Sequence, residues 1–312
     1  MGHPVLIAAE LQNLLDASHL EGLDVTWIAA DEATPKGHWI ALVPLLSRWV
    51  GGIELKNLPR LKIVANVAVG YNNVDLVAAE LRRVLVTNTP DVLTNATADL
   101  TWALILACAR RVLAGVELVK SGHWTGWHPE QLLGLELQGR TLGLLGAGRI
   151  GQAVGRRGLA FGMALRYTTR TPKPEFEAET GAVRVELRGL FETADVLSLH
   201  VPAVPELRGV VNAQNLSRMK PGAILVNTSR GDLVQEDALA AALEAGQLGA
   251  VGLDVYAEEP SIEPRLLTAP HTVLLPHIGS ATRDTRRAMA GVALANVQAV
   301  LEGKPPLTPV YR

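Results

Sequence analysis

At 312 residues and 33.3 kDa the chain has the length of about two domains, and 48% apolar against 19% charged residues, with a mean hydropathy of +0.19, excludes the composition of a disordered protein. Its 29 basic and 31 acidic side chains leave a formal charge of -2, which argues against a broad polyanion-binding surface and so against nucleic acid as a partner. The single cysteine, Cys108, excludes an intrachain disulfide, a CxxC redox pair and a cysteine-rich zinc site.

The opening segment, MGHPVLIAAELQNLL, lacks a basic leader, is interrupted by Glu10, and has no Ser or Thr at position 6 for myristoylation. The longest apolar run, Trp102 to Ala109, is less than half of a membrane span. A cytoplasmic protein with no membrane anchor is expected. Short runs rich in Val, Ile and Leu then alternate with longer helix-like stretches: Val5–Ala8, Val25–Ile28, Ile40–Val43, Leu61–Ala65 and Val84–Thr87. That alternation predicts parallel βαβ units. Leu93–Lys120 reads as one long helix, apolar almost all round, packed either in a core or between domains or subunits. SGHWTGWHPEQLLGLELQG has no period and is expected to form an arm or long loop.

A second strand series follows, at Thr141–Leu145, Ala164–Tyr167, Val196–Leu199, Ala223–Asn227, Val251–Asp254 and Val273–Leu275. Its nearly continuous apolar character suits strands covered on both faces. The last helix is expected over Ala281–Leu301, stopped by the prolines of GKPPLTPVYR.

Directly after Thr141–Leu145 stands Gly146-Ala147-Gly148-Arg149-Ile150-Gly151, a GxGxxG opening a helix to about Phe161. In this setting the first glycine permits the tight turn, the second lets backbone approach a pyrophosphate, and the third lets the helix sit against the sheet. The helix N-terminus then offers unpaired N–H groups to the phosphates. An NAD site places a carboxylate about 20 residues further on, but here no acid occurs before Glu175. The hydroxyls of Thr169 and Thr171 and the cations of Arg170 and Lys173 stand there instead, which suits a 2'-phosphate. NADP(H) is therefore the expected cofactor, with NAD(H) as the other candidate.

Three further segments end strands of the same domain: Val226 to Asp232, Gly252 to Pro260 and Leu275 to Ser280. Ligands of open α/β sheets bind beyond the carboxyl ends of strands. Arg230, a carboxylate and His277 in these segments supply an anion clamp, an orienting partner and a proton donor, the set that reduction of a 2-oxo acid needs. No HExxH, GxSxG or Walker A run points to metal or nucleophilic hydrolysis, and no metal is expected.

With Val69-Gly70-Tyr71-Asn72-Asn73-Val74-Asp75, Asn227 to Gly231, Leu253-Asp254-Val255, Glu259-Pro260 and Pro276-His277-Ile278-Gly279 added, the chain resembles the D-isomer-specific 2-hydroxy-acid dehydrogenases from end to end. Intervals of 29 residues from Arg230 to Glu259 and 18 from Glu259 to His277 agree with that family. SGHWTGWHPEQLLG, YTTRTPKP and PHIGSATRDTR are most similar to its glyoxylate and hydroxypyruvate reductases.

The resemblance implies an α/β protein of two Rossmann-like, doubly wound parallel-sheet domains. A flavodoxin-like substrate domain would comprise residues 1–92 and 283–312, with a dinucleotide domain, 93–282, inserted. It also implies that His277 protonates the substrate oxygen while NADPH gives a hydride to the carbonyl carbon. Glu259 would hold the other ring nitrogen, and Arg230 would clamp the carboxylate. Backbone near Val69 and Gly70 would complete that cradle, and Asp254 would orient the nicotinamide. Val201, Pro202, Thr228, Ser229 and Gly279 join Gly146, Gly148, Arg149, Ile150, Gly151 and the 169–173 segment as cofactor contacts. A homodimer is implied in which an arm tryptophan, Trp127 or else Trp124, reaches the partner's site, unless both only pack. Phosphoglycerate or D-lactate dehydrogenase activity remains open, because walls such as Pro44 to Arg48 cannot be sized from sequence, as does a dinucleotide-sensing corepressor role.

Overall fold

The computed structural model describes residues 2–310; Met1, Tyr311 and Arg312, which belong to the end segments read above, lie outside the described residues. The chain divides into two units, one running to Leu93 and resuming at Ser280, the other Thr94–Gly279. In the first unit β1 (His3–Ala8), β2 (Leu23–Ile28), β3 (Ala41–Val43), β4 (Ile63–Ala65) and β5 (Leu85–Thr87) alternate with connections that include α1 (Gly52–Asn57) and α2 (Leu76–Leu81). The five strands are parallel in the order β2-β1-β3-β4-β5, the flavodoxin-like winding. Its central strands β3 and β4 are wholly buried, as their unbroken apolar runs require.

The second unit opens with α3 (Thr94–Ala109) and α4 (Val112–Lys120). Its sheet contains β6 (Thr141–Leu145), β7 (Ala164–Thr168), β8 (Val183–Arg184), β9 (Val196–Leu199), β10 (Ala223–Asn227), β11 (Leu248–Leu253) and β12 (Thr272–Leu274). Between them run α5 (Arg149–Ala160), α6 (Pro174–Thr180), α7 (Leu187–Thr193), α8 (Ala213–Leu216), α9 (Glu236–Glu244) and α10 (Pro264–Thr268). The order β12-β11-β10-β9-β6-β7-β8 is all parallel, and the sequence reverses direction beside β6, where an open sheet makes its ligand crevice. Both units are thus doubly wound α/β sheets, as expected. Among the described residues no helix is long and apolar enough to cross a membrane.

The expected single helix over 93–120 is two. The N–H of Leu135, in the arm, bonds the carbonyl of Ala109 at 2.8 Å. A helix continuing past Ala109 needs that acceptor for its own i to i+4 bond, and Arg111 at φ 53° turns the chain into a new helix instead. The two halves meet different fates. Trp102, Leu104, Ile105 and Cys108 of α3 are buried among the residues of β6, β10 and β11, and burial pushes the Cys108 thiol up to about 12. No residue of α4 is buried, and Val112, Leu113, Val116 and Val119 lie exposed. The arm after α4 carries no helix or strand, as expected.

The C-terminal helix α11 (Arg283–Leu301) returns to the first unit. Asn296 on it is fully buried, and its side-chain oxygen accepts from the N–H groups of Leu307 and Thr308 at 2.8 and 3.0 Å, which ties down the proline-rich tail.

Candidate active site

Glu259, His277 and Arg230 stand on the loops that follow β11, β12 and β10. The Arg230 turn is built by Asn227, the last residue of β10. Its side-chain oxygen accepts from the N–H and hydroxyl of Ser229, both at 3.0 Å, and its amide donates to the Arg230 carbonyl at 2.8 Å. Gly231 is required by close approach: a Cβ there would lie 1.9 Å from the Tyr256 carbonyl carbon. The Arg230 loop therefore packs directly on the backbone that leads to Glu259.

Glu259 uses both oxygens. One accepts from the Tyr256 N–H at 3.0 Å, and the other lies 2.8 Å from Nδ1 of His277. Burial opposes ionisation of this carboxyl, but the His277 hydrogen bond and charge, the Tyr256 N–H and the Arg230 charge together hold it below its ordinary value. Burial likewise lowers the Arg230 pKa against the opposing charges of Glu259 and Asp232, and a guanidinium remains cationic through such a shift.

His277 adopts a left-handed backbone conformation, φ 53°. For a residue with a side chain this costs about 1–3 kcal/mol and persists only when neighbours enforce it. The enforcing group is Asp254, 1% exposed, whose two oxygens accept from the N–H groups of Ile278 and Gly279 at 2.7 and 2.8 Å. Burial raises the Asp254 pKa, countered in part by these two N–H groups and by His277. Thr97 on α3 donates to the Gly279 carbonyl at 3.2 Å, and Thr101 pairs with Thr228 at 2.9 Å, so one helix braces the loops of both His277 and Arg230.

The residues present fit a dinucleotide. Gly146 takes φ +98°, and a Cβ on it would meet the His200 carbonyl oxygen at 2.5 Å and the Val201 side chain at 2.8 Å. A Cβ on Gly151 would lie 2.1 Å from the Gly146 carbonyl oxygen, whereas one on Gly148 meets nothing within 4 Å. Two glycines are thus demanded by the protein's own packing. The middle one faces open space at the N-terminus of the twelve-residue α5, where a bound group approaches. Behind them His200 is held neutral, burial pushing its pKa down to about 3, with Nε2 2.9 Å from the Ser198 hydroxyl. Sequence patterning does not single out His200, since a lone histidine at a strand end carries no signal.

Thr169, Arg170, Thr171 and Lys173 form the loop after β7, with Arg170 and Thr171 exposed. Trp124 and Trp127 in the arm are exposed, by 53% and 82%, and meet none of the other candidate residues in the described contacts. Val69 and Gly70 lie in the first unit, their carbonyls bonded by Asn88 and Asn66 at 2.8 and 2.9 Å. In the same unit Arg48, at the end of the stretch read as a pocket wall, is buried and donates to the Thr34 hydroxyl at 3.2 Å.

Residues 102–279 match the family model described as D-isomer specific 2-hydroxyacid dehydrogenase, NAD binding domain. The chain is 47% identical to a glyoxylate reductase of Thermococcus litoralis over 270 residues, 85% of this chain and 82% of that one. It is also 47% identical over 277 residues to a glyoxylate reductase of Aeropyrum pernix, 87% and 83% of the two chains. Among solved structures, an NADPH-dependent glyoxylate/hydroxypyruvate reductase of Sinorhizobium meliloti in complex with NADP and malonate is similar at a TM-score of 0.88 and 35% identity, over 100% of this chain and 97% of that one.

Proposed function

The chain belongs to the D-isomer-specific 2-hydroxyacid dehydrogenases and is an NAD(P)-dependent dehydrogenase; from that premise we propose that it reduces glyoxylate and hydroxypyruvate to glycolate and D-glycerate with NADPH. The observation that carries the reading is the 2.8 Å pair of His277 and Glu259 on loops shared with the half-buried Arg230. A bound NADPH supplies the hydride. His277, oriented through Nδ1, presents its other ring nitrogen to the substrate oxygen and gives it the proton as negative charge develops there. Glu259 fixes the orientation of the ring through its hydrogen bond to Nδ1. Arg230 binds the substrate carboxylate and polarises the carbonyl. Asp254 keeps the His277 loop in its strained turn while its carboxylate edge serves the nicotinamide amide.

NADPH is favoured over NADH because the loop after β7 offers Arg170 and Lys173 and no carboxylate; the nearby Glu177 is engaged by the Tyr167 hydroxyl. The test is oxidation of NADPH and NADH with glyoxylate, hydroxypyruvate, pyruvate and 2-oxoglutarate. Highest kcat/KM for NADPH with the first two substrates is expected, and equal or better turnover with NADH overturns the cofactor assignment.

The proposal extends to a cytoplasmic homodimer joined through α4, whose Val112, Leu113, Val116 and Val119 form one exposed apolar stripe beside the arm. Trp127 of one subunit would then wall the other's pocket with a rigid apolar ring. Sedimentation should give a dimer. Trp127→Ala should lower the kcat/KM ratio of hydroxypyruvate to a branched 2-oxo acid, as should a monomerising change in α4; a ratio unmoved in both leaves Trp127 a packing residue.

A further inference from the structure

Arg184 lies on β8, the two-residue edge strand of the second sheet, where the register sets it opposite Tyr167 of β7. Its guanidinium reaches over the loop that follows β7. Nε and Nη2 donate to the Thr169 carbonyl at 3.2 and 2.9 Å, and Nη2 also donates to the Arg170 carbonyl at 3.3 Å. The loop is fastened at its other end as well. The hydroxyl of the buried Tyr167 donates a hydrogen bond to Glu177 and accepts one from the Lys173 N–H at 2.9 Å. At the end of β7 Thr168 donates to the Val185 carbonyl at 2.7 Å, and within the loop Thr169 donates to the Thr171 carbonyl at 2.6 Å.

These bonds have a directional consequence. A trans peptide carries its C=O and its N–H on opposite sides. With the Thr169 and Arg170 carbonyls drawn toward Arg184, the N–H groups of Arg170 and Thr171 are turned the other way. A guanidinium bound to carbonyls keeps its full charge, so the loop gains a fixed cation on one side and two aligned N–H dipoles on the other. Ordering the loop before a ligand arrives also removes a conformational cost from binding.

We propose that Arg184 is a positioning residue for cofactor discrimination: by gripping the Thr169 and Arg170 carbonyls it holds the 169–173 loop in the shape that receives a phosphate monoester on the adenosine ribose. The inference rests on the NADPH reading above, and it names the part of the fold that would set that preference without itself needing to touch the cofactor. Arg184→Gln removes the charge and the bidentate grip while sparing the exposed edge of the sheet, and Arg184→Lys returns the charge without the fork.

The measurement is equilibrium binding, by calorimetry or nucleotide fluorescence, of NADPH, NADH, adenosine 2',5'-bisphosphate and 5'-AMP to the parent and both variants. For Arg184→Gln, NADPH and the bisphosphate should weaken by about three- to tenfold, the scale of an exposed charge-assisted bond, with NADH and 5'-AMP unmoved. Arg184→Lys should fall between. Tyr167→Phe, which releases the Lys173 end of the loop within an unchanged ring volume, should weaken the same two ligands. Parallel losses for all four ligands, or no loss for any, overturn the role of Arg184. A parent that binds NADH as tightly as NADPH overturns the cofactor reading itself, an outcome separable from the first because it is read before any substitution is made.

Discussion

The catalytic corner and the adenosine edge of the second unit use hydrogen bonds in opposite ways. At the corner, carboxylates do the holding: Asp254 is buried and grips two N–H groups, while Glu259 spends one oxygen on backbone and one on His277. At the edge a cation does the holding, with Arg184 gripping carbonyls on an exposed loop. On the function proposed above, anions behind the first loop would leave a histidine presented for proton transfer, and a cation behind the second would leave N–H groups presented for an anion. Burial separates the Asp254 grip from the Arg184 grip in energy: a bond to a charged group in a dry site is costly to lose, whereas water replaces much of what an exposed one provides.

The corner is the more sensitive of the two regions to substitution. His277→Ala should lower kcat by about 10²- to 10⁴-fold, the range for a general acid, while NADPH binding, measured by fluorescence, stays near parent strength. A comparable loss of cofactor affinity would mean that the corner and the edge are not separable. Next in size, Arg170→Ala should cost about 1.5–3 kcal/mol of NADPH over NADH preference, the scale of a bond to a charged group. The check is the ratio of kcat/KM for the two cofactors, and a value near the lower bound sharpens the view that solvent shares the edge's work.

Glu259→Gln is the mildest and reports on pH. Because the parent carboxyl titrates below its ordinary value, the pair is intact above that ordinary value and is lost only as pH falls through the lowered one. In the variant no carboxyl remains to titrate there, so the loss of activity that the parent shows as pH falls through the lowered value should disappear, with about a five- to tenfold loss of kcat near neutrality. An acid limb identical in parent and variant would show that Glu259 acts on geometry alone.

How much of this could be read beforehand follows the same division. The segments of Arg230, Glu259 and His277 were legible as neighbours because strand ends of an open parallel sheet converge, and the family resemblance, through the intervals of 29 and 18 residues, singled out Glu259 among the nearby acids. The glycine motif was legible for its setting between β6 and α5. Illegible features depend on contacts made from a distance. The break after Ala109 has no glycine or proline to announce it, since its cause is the Leu135 N–H arriving from the arm. Arg184 sits on a strand too short to show a period, fourteen positions from the loop carbonyl at Arg170 that it grips. The family motif implies a nicotinamide contact for Asp254, but its hold on the Ile278 and Gly279 N–H groups is set by the fold of the following loop and leaves no mark in the sequence.

Cys108 lies in the core between α3 and the sheet, 5% exposed, with its thiol pushed up to about 12. At neutral pH almost none of it is thiolate, the form that alkylating agents and oxidants attack. The folded chain therefore offers no reactive sulfur of its own, and a cysteine introduced at an exposed position such as Thr171 would be a unique handle for an attached spectroscopic probe. A dye there would report directly on whether the loop gripped by Arg184 moves when a nucleotide binds.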